Sequence, residues 1–178
     1  MSFYERDLLS FAEASRGVRF ALRAARDEDV DAMLAIEERS FEYPWSREDF
    51  EFCLHSNRCE AIVATRDGET AGYAIYELGR ACARLISCAT AESSRRQGCG
   101  SSLVECVASR LDARRREIAC VVREGNEVAR LFLRSQGFRE RWVERRYYSG
   151  VKENALRMSR RLDDNFALAT SSSTRRVG

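Results

Sequence analysis

Two glycines one residue apart lie within the segment 95–101 (RRQGCGS), which we call the glycine loop. The apolar run 85–90 before it predicts a strand, and the amphipathic run 103–107 after it predicts a helix. Because glycine lets the backbone turn tightly without Cβ clashes, successive N–H groups can converge at the positive end of that helix. The segment therefore predicts a strand–loop–helix unit that binds a phosphate; the alternative is an ordinary turn with solvated arginines.

Length and composition narrow the class of protein. The 178 residues suggest one domain, at 17–162, with an N-terminal arm at 1–16 and a tail at 163–178 that we expect to be disordered. The net charge of +2 lacks the basic excess of a dedicated nucleic-acid binder. Seven scattered cysteines without a C-x-x-C pair favour reduced core residues, and a single histidine, His55, excludes His-rich metal sites, so we expect no metal. With no signal peptide and no apolar run of about 18 residues, we expect a cytoplasmic protein away from membranes.

Periodicity and capping signals predict the element order β-α-α-β-β-β-α-β-α-β-β. Ser46 with Asp49 predicts a capping box, Asp67 with Gly68 a hairpin turn, and Gly137 a helix end. The predicted strands are 18–24, 59–65, 70–78, 82–90, 118–122, 139–148 and 155–162, and the predicted helices run from an Asp27 cap through Ile36, from Ser46 to near Asn57, from the glycine loop to Arg114, and from Asn126 to Ser135.

The glycine loop resembles the pyrophosphate-binding loop of the GCN5-related N-acetyltransferases (GNAT), and the element order is that of the same fold. This resemblance implies an α/β (α+β) fold with a mixed, splayed sheet of six to seven strands flanked by about four helices. Over residues 18–162 the chain most resembles the RimI-like ribosomal-protein N-terminal acetyltransferases. The sequence motifs on which this resemblance rests are FEYPWS at 41–46, the glycine loop, VREGN at 122–126, SQGF at 135–138, RRYY at 145–148 and NALRM at 154–158.

The resemblance implies acetyl-CoA as co-substrate. Backbone groups at the end of the predicted strand would pair with the pantetheine arm, the glycine loop would hold the pyrophosphate, and Arg95 and Arg96 would add charge unless they are simply solvated. Asn126 matches an asparagine that contacts the cofactor, although it can equally be a plain helix cap. The implied cofactor residues are Cys88, Ala89, Thr90, Arg96, Gln97, Gly98, Cys99, Gly100, Ser101 and Asn126.

Two further positions leave alternatives open. In the aromatic loop at 41–46, which we call the acceptor loop, Glu42, Tyr43 and Trp45 either line a peptide groove or pack as a lid on the core. Cys99 lies where a helix N-terminus can lower a thiol pKa, which raises the alternative of a covalent acyl-enzyme. Its variable position in the motif and its distance along the chain from His55 disfavour that alternative.

The chain departs from the RimI-like pattern at both proton-transfer positions. The glutamate that usually serves as base is replaced by Val121, and the tyrosine that usually protonates the leaving thiolate is replaced by Leu133. A general acid or base of this kind typically raises the reaction rate by about 10²- to 10⁴-fold. An α-amine with a pKa of about 7.8 is roughly one-third neutral at pH 7.5, so it needs a base least. Glu124 and Tyr147 are candidate substitutes, with Tyr148 behind them, unless Glu124 faces solvent and Tyr147 packs at a sheet edge.

Three functional hypotheses follow. The leading one is an acetyl-CoA-dependent N-acetyltransferase that acts by direct attack in a ternary complex on the N-terminal α-amine of a protein or peptide, a ribosomal protein being the acceptor that the resemblance suggests. The second is an acetyl-CoA-binding protein with lost or altered catalysis that acts as a sensor or regulator. The third is a ribosome- or RNA-associated module, suggested by the arginine-rich segment 110–116 and by Arg139, Arg141, Arg145 and Arg146, but interleaved acids favour a solvated face over a nucleic-acid surface.

Overall fold

The computed structural model describes residues 20–148 and 153–162; the predictions for the arm at 1–16 and the tail at 163–178 lie outside these residues. Seven strands and four helices follow the predicted order. They are β1 (Ala21–Ala24), α1 (Val30–Ser40), α2 (Arg47–His55), β2 (Cys59–Arg66), β3 (Glu69–Leu78), β4 (Ala83–Thr90), α3 (Cys99–Ser109), β5 (Glu117–Arg123), α4 (Glu127–Ser135), β6 (Arg139–Tyr148) and β7 (Glu153–Arg161), with 3₁₀ turns at Asp27–Asp29 and Glu92–Ser94.

The strands form one mixed sheet with the order β1-β2-β3-β4-β5-β7-β6. The β4–β5 pair is parallel, whereas β1–β2, β2–β3, β5–β7 and β6–β7 are antiparallel. The β4–β5 ladder joins Ala83–Leu85 to Ile118–Cys120, and β4 then continues to Thr90. The predicted mixed sheet with four helices is therefore confirmed.

The chain forms two compact units. Among the described residues, the first contains 20–78 and 86–106, and the second contains 79–85, 107–148 and 153–162. In the first unit, helices α1 and α2 pack on β2 and β3, because the apolar side chains of α1 recur every three to four residues along one face. The buried cluster consists of Val30, Met33, Ile36, Phe50, Cys53, Val63, Tyr73, Ile75 and Ala89.

Helices α1 and α3 differ most from the predicted bounds. The helix expected from Asp27 through Ile36 begins at Val30 and continues to Ser40; Asp27–Asp29 form a 3₁₀ turn before it, in which the Asp29 carboxylate accepts the Arg26 N–H at 2.8 Å. The helix expected to reach Arg114 ends at Ser109. The Asp112 carboxylate accepts the backbone N–H groups of the next turn, from Arg114 at 2.8 Å and Arg115 at 2.9 Å. In both cases an aspartate side chain forms a local turn that ends or delays the helix.

Other local signals are confirmed. Ser46 and Asp49 form the capping box of α2, which ends at His55 rather than near Asn57. Asp67 and Gly68 both have positive φ in the turn between β2 and β3. Gly137 has φ +82° after α4 and ends that helix as expected. These signals act through neighbours in sequence, so they are the part of the fold that a single sequence reports best.

Candidate active site

The glycine loop has a backbone that only a few residue types adopt easily. After β4, a 3₁₀ turn leads to Arg96 at φ +58° and Gly98 at φ +90°, and α3 begins at the next residue, Cys99. Left-handed φ values are costly for side chains with a Cβ, and Gly98 avoids that cost. The loop therefore reverses direction tightly and delivers the chain into the start of a helix.

The start of α3 supplies a group of backbone donors. The first intrahelical hydrogen bond runs from the Ser102 N–H to the Gly98 carbonyl oxygen at 2.9 Å. The N–H groups of Cys99, Gly100 and Ser101 precede it and are the first-turn donors that an α-helix does not bond internally. The first turn of α3 contains no acidic side chain to compete for them. This arrangement can hold an anion.

The exposed side chains of Gln97 and Arg95 form hydrogen bonds that hold the loop. The Gln97 amide donates to the Ser93 carbonyl oxygen at 2.6 Å and accepts from the Arg66 guanidinium at 2.5 Å. Arg95 donates to the Thr90 carbonyl oxygen at 3.4 Å. Arg96 is exposed. Arg95 is exposed as well, but it is tied to Thr90 and Ser40 by hydrogen bonds.

Gly72 on β3 permits a close approach that the sequence analysis missed. A Cβ at this position would lie 2.8 Å from the Ala89 carbonyl oxygen, 3.0 Å from the Cys99 Sγ atom and 3.1 Å from the Thr90 Cγ2 atom. The chain just beyond β4 is held in the same place, since the Ala91 N–H donates to the Ala71 carbonyl oxygen at 2.8 Å. The end of β4 and the start of α3 therefore meet over a residue without a side chain.

The thiol of Cys99 is a packing group. It is buried, with Sγ 3.5 Å from the Ala71 carbonyl oxygen, and burial raises its pKa to about 12. Desolvation of the thiolate outweighs the opposing effect of the Arg66 charge, so this pKa is not lowered at the helix N-terminus. A thiol that stays protonated at neutral pH does not fit the covalent acyl-enzyme alternative.

The acceptor loop both anchors itself and presents groups to solvent. Trp45 is half-buried against the core cluster that contains Ala89 of β4, with its ring centroid 5.5 Å from that of Phe50. Glu42 is exposed, and Tyr43 is 51% exposed. The two alternatives for this loop thus apply to different residues, since Trp45 packs on the core while Glu42 and Tyr43 project outward.

A buried carboxylate behind this loop was also missed. Glu37 of α1 is 2% exposed and accepts the Trp45 N–H at 3.1 Å. It also accepts the hydroxyl of Tyr73, whose oxygen lies 3.0 Å from the Ser87 hydroxyl on β4. Burial raises the pKa of Glu37, against the lowering effect of these donors. The three side chains form a polar cluster inside the first unit.

A cavity of about 310 Å³ opens beside the end of β4 in the first unit. It contains Arg39 and Ser40 from the end of α1 and Thr90 from the end of β4. Arg95 also lines it and donates to the Ser40 hydroxyl at 3.3 Å. Ser40, which directly precedes the acceptor loop, and Thr90, a predicted cofactor residue, thus line the same cavity.

The remaining predicted residues lie in the second unit. The Asn126 side-chain oxygen accepts the Ala129 N–H at 3.0 Å, so it caps α4. Its amide nitrogen makes no hydrogen bond within the described residues and can donate to a ligand. The cap and the cofactor contact are compatible, because they use different atoms.

Glu124 and Tyr147, the candidate substitutes for the missing proton-transfer groups, differ in their contacts. A Glu124 carboxylate oxygen accepts from the Asn154 amide at 2.7 Å, and the Asn154 side-chain oxygen accepts the Arg146 N–H at 3.0 Å. Tyr147 is 46% exposed and its ring lies edge-on to Tyr148 at 5.0 Å. Glu124 is therefore tied to β6 and β7 rather than directed into solvent.

Tyr148 lies under the Arg123 guanidinium, at 4.3 Å from the ring centroid. Burial raises the pKa of Tyr148, and the arginine opposes that shift only in part. Its hydroxyl therefore stays protonated at neutral pH and can donate but not accept a proton as a phenolate. The raised pKa makes the Tyr148 hydroxyl a weaker proton donor as well as an unavailable base at neutral pH.

Val121 and Leu133 occupy packing positions. Val121 is paired with Arg157 of β7, and Leu133 is buried on α4. Neither side chain can accept or donate a proton. Residues 20–148 and 153–162 contain no group of three His, Cys, Asp or Glu side chains that could hold a metal ion. In the same residues, no helix has the length and apolar character that crossing a membrane requires.

The fold and the loop define a class of enzyme. A profile of the Acetyltransferase (GNAT) family matches residues 16–138, so the chain belongs to this family and is an acyltransferase. The ribosomal protein bS18-alanine N-acetyltransferase of Escherichia coli K12 is 31% identical over 139 residues, which are 74% of this chain and 90% of that relative. An N-alpha-acetyltransferase of Sulfurisphaera tokodaii is 29% identical over 166 residues, 83% of this chain and 97% of that relative.

A solved structure agrees with these relatives. The crystal structure of the ribosomal-protein-S18-alanine N-acetyltransferase from Escherichia coli matches with a TM-score of 0.71 at 27% identity, and covers 81% of this chain and 94% of that one. The resemblance to RimI-like acetyltransferases that the sequence motifs indicated is confirmed.

Proposed function

We propose that the protein transfers the acetyl group of acetyl-CoA to the N-terminal α-amine of a protein, that a ribosomal protein is the acceptor, and that it acts in the cytoplasm where ribosomes are assembled. The observation that carries the proposal is the glycine loop, whose Gly98 at φ +90° leads into a helix start without acidic side chains. Relatives named as acetyltransferases of a ribosomal protein and of N-terminal amines support the choice of acceptor.

On the donor side, backbone groups carry most of the binding. The N–H groups of Cys99, Gly100 and Ser101 would hold the pyrophosphate, with Arg96 adding a charge-assisted contact. Gln97 would contribute through its backbone, because its side chain holds the loop to Ser93. Backbone groups of Cys88, Ala89 and Thr90 would pair with the pantetheine arm, and Asn126 would donate its amide.

On the acceptor side, Glu42 and Tyr43 would line the entrance for the peptide. The exposure of both side chains supports this role. Trp45 anchors the same loop by packing on the core cluster, which includes Ala89 of β4. A carboxylate at the entrance favours a substrate that carries a positive α-ammonium or basic residues near its N-terminus. The loop thus suits a protein N-terminus better than an acidic small molecule.

The transfer needs no protein base in this account. The lone pair of the neutral amine attacks the thioester carbonyl carbon, a C–N bond forms, the C–S bond breaks, and the thiolate leaves on CoA. The amine proton passes to solvent, since Val121 and Leu133 cannot take or give it. Positioning of the two reactants supplies a large share of the rate. Glu124 and Tyr147 remain candidates for a catalytic role.

A turnover assay on the full chain tests the proposal. Peptides with a free α-amine are compared with the same peptides blocked at the N-terminus but carrying a lysine, and products are read by mass spectrometry because seven protein cysteines would react with thiol reagents. We expect acetylation of the α-amine only, with kcat/KM that rises with pH and levels off above about 7.8.

Other outcomes have defined meanings. The pH dependence of kcat/KM can instead follow the pKa of a protein group rather than that of the substrate amine. If Glu124→Gln or Tyr147→Phe abolishes that dependence, the substituted residue is assigned as the base or acid. Tight acetyl-CoA binding without acetylation of any peptide would contradict the proposal and favour a protein that binds acetyl-CoA as a sensor or regulator.

A further inference from the structure

Glu37 is an unusual residue to find in the core of the first unit. Glutamate is almost never fully buried unless it is paired, because its charge loses the hydration of water. Among the described residues no arginine forms an ion pair with Glu37; its carboxylate is held by the neutral donors Trp45 N–H and Tyr73 O–H. An apolar side chain of similar size would fill the same space without this desolvation cost. Core stability alone therefore does not account for a carboxylate here.

The two carboxylate oxygens of Glu37 serve two different elements. Oε1 accepts the backbone N–H of Trp45 in the acceptor loop at 3.1 Å. Oε2 accepts the hydroxyl of Tyr73 on β3, which lies 3.0 Å from the Ser87 hydroxyl. Ser87 directly precedes Cys88, Ala89 and Thr90 on β4. One side chain thus connects the acceptor loop to the strand that carries predicted donor residues.

Aromatic ring contacts also connect Trp45 to Tyr73. The Trp45 ring lies 5.5 Å from Phe50, and Phe50 lies edge-on to Tyr73 at 5.4 Å and 82°. These contacts hold the Trp45 side chain, but they do not fix the loop backbone, which is where the acceptor peptide would be aligned. The hydrogen bond from the Trp45 N–H to Glu37 supplies that missing restraint.

We propose that Glu37 is a positioning residue for acetyl transfer: through its hydrogen bonds to Trp45 and Tyr73 it fixes the acceptor loop relative to β4, so that the acceptor amine meets the thioester in reactive geometry. This inference rests on the proposed function. Small misplacements of reacting atoms can cost about 10²-fold in rate, so a residue that touches neither reactant can still control turnover. Burial raises the pKa of Glu37, as expected for a carboxyl group held by neutral partners.

Two substitutions separate positioning from charge. Glu37→Met keeps the volume and the helix propensity but removes both acceptor oxygens. Glu37→Gln keeps one carbonyl oxygen for the Trp45 N–H, and its amide can donate to the Tyr73 oxygen while Tyr73 donates to Ser87. The matched control is Glu38→Gln, on the exposed side of the same helix.

We expect Glu37→Met to lower kcat/KM for the acceptor peptide about 100-fold while the Kd for acetyl-CoA stays within twofold. Its Tm should change little, because removal of the buried carboxylate offsets the loss of the acceptor for the Trp45 N–H, and the Tyr73 hydroxyl keeps Ser87 as a partner. Glu37→Gln should retain activity within about fivefold, and Glu38→Gln should match the wild type. A fall in activity that merely tracks a fall in Tm would overturn the inference. Equal damage in Glu37→Gln and Glu37→Met would also overturn it, because charge rather than hydrogen-bond geometry would then be responsible.

Amide hydrogen exchange at Trp45 gives a readout that does not depend on turnover. We expect Glu37→Met to speed exchange of this amide at least tenfold, with amides of β3 changed less than twofold. Unchanged exchange at Trp45 would contradict the inference even if the wild type acetylated no peptide. If the wild type is inactive but Trp45 exchange responds as expected, the proposed function fails while the anchoring role of Glu37 stands.

Discussion

The glycine loop and the acceptor loop lie in the same unit but are held in different ways. The glycine loop takes its shape from its own backbone, with left-handed φ at Arg96 and Gly98, and it is held by a nearby hydrogen bond from Gln97 to Ser93 as well as by distant ones to Arg66 and Ser40. The acceptor loop is held by side chains distant in sequence, Glu37 and Phe50. The backbone of the proposed donor half is therefore set by local geometry, whereas the backbone of the proposed acceptor half depends on a buried side chain from another element.

Gly72→Ala should have the largest effect on the donor half. The added Cβ would lie 2.8 Å from the Ala89 carbonyl oxygen, a backbone atom that cannot move without disturbing β4. We expect the free energy of unfolding to fall by about 2–3 kcal/mol, and acetyl-CoA affinity to fall with it. Urea denaturation and calorimetric titration measure both. An alanine variant with wild-type stability and affinity would show that the close approach of β3 and β4 is not needed.

The acceptor half should show a distinctive dependence of stability on pH. The pKa of Glu37 is raised from its ordinary value of 4.5, so the folded protein binds the proton more tightly than the unfolded chain. The free energy of unfolding of the wild type, relative to Glu37→Gln, should therefore be greatest below about pH 4.5 and fall as the pH rises through the folded pKa. Denaturation of both proteins across this range measures the difference. If the free energy of unfolding of the wild type instead increased with pH relative to Glu37→Gln, the pKa of Glu37 would be lowered, and the ionised carboxylate would be the stabilised form.

Cys99→Ala should have the smallest effect on chemistry. Because burial raises the thiol pKa to about 12, we expect turnover to stay within twofold of the wild type, with a stability loss of about 1 kcal/mol for the removed sulfur. A loss of turnover above tenfold, or an acetyl group trapped on this cysteine in mass spectra, would restore the covalent alternative.

Much of the fold is predictable because its signals are local. The capping box at Ser46, the hairpin at Gly68 and the helix end at Gly137 each depend on neighbours within a few residues. The early end of α3 at Ser109 was missed because the arginine-rich segment favours a helix, whereas the Asp112 carboxylate accepts N–H groups of the following turn. A helical pattern alone does not show which of these interactions is stronger.

The site is predictable only in part, for the same reason. Gly98 and Asn126 stand at helix starts that the sequence marks by itself. Glu37 gave no signal, because its partners Tyr73 and Ser87 lie far along the chain and meet it only after β3 and β4 are placed. Gly72 was missed because its constraint comes from the approach of β4. Residues that act through tertiary contacts need a structure to be found.

The most direct test of the account compares alanine substitutions at two glycines. Gly98 and Gly68 both have strongly positive φ, +90° and +85°, and neither has an atom within 4 Å of the added Cβ. Each substitution should therefore cost about 1 kcal/mol of stability from backbone strain. Calorimetric titration with acetyl-CoA should show affinity at least tenfold weaker in Gly98→Ala and unchanged in Gly68→Ala. Equal affinities in the two variants would contradict the assignment of the glycine loop as the site that holds the acetyl donor.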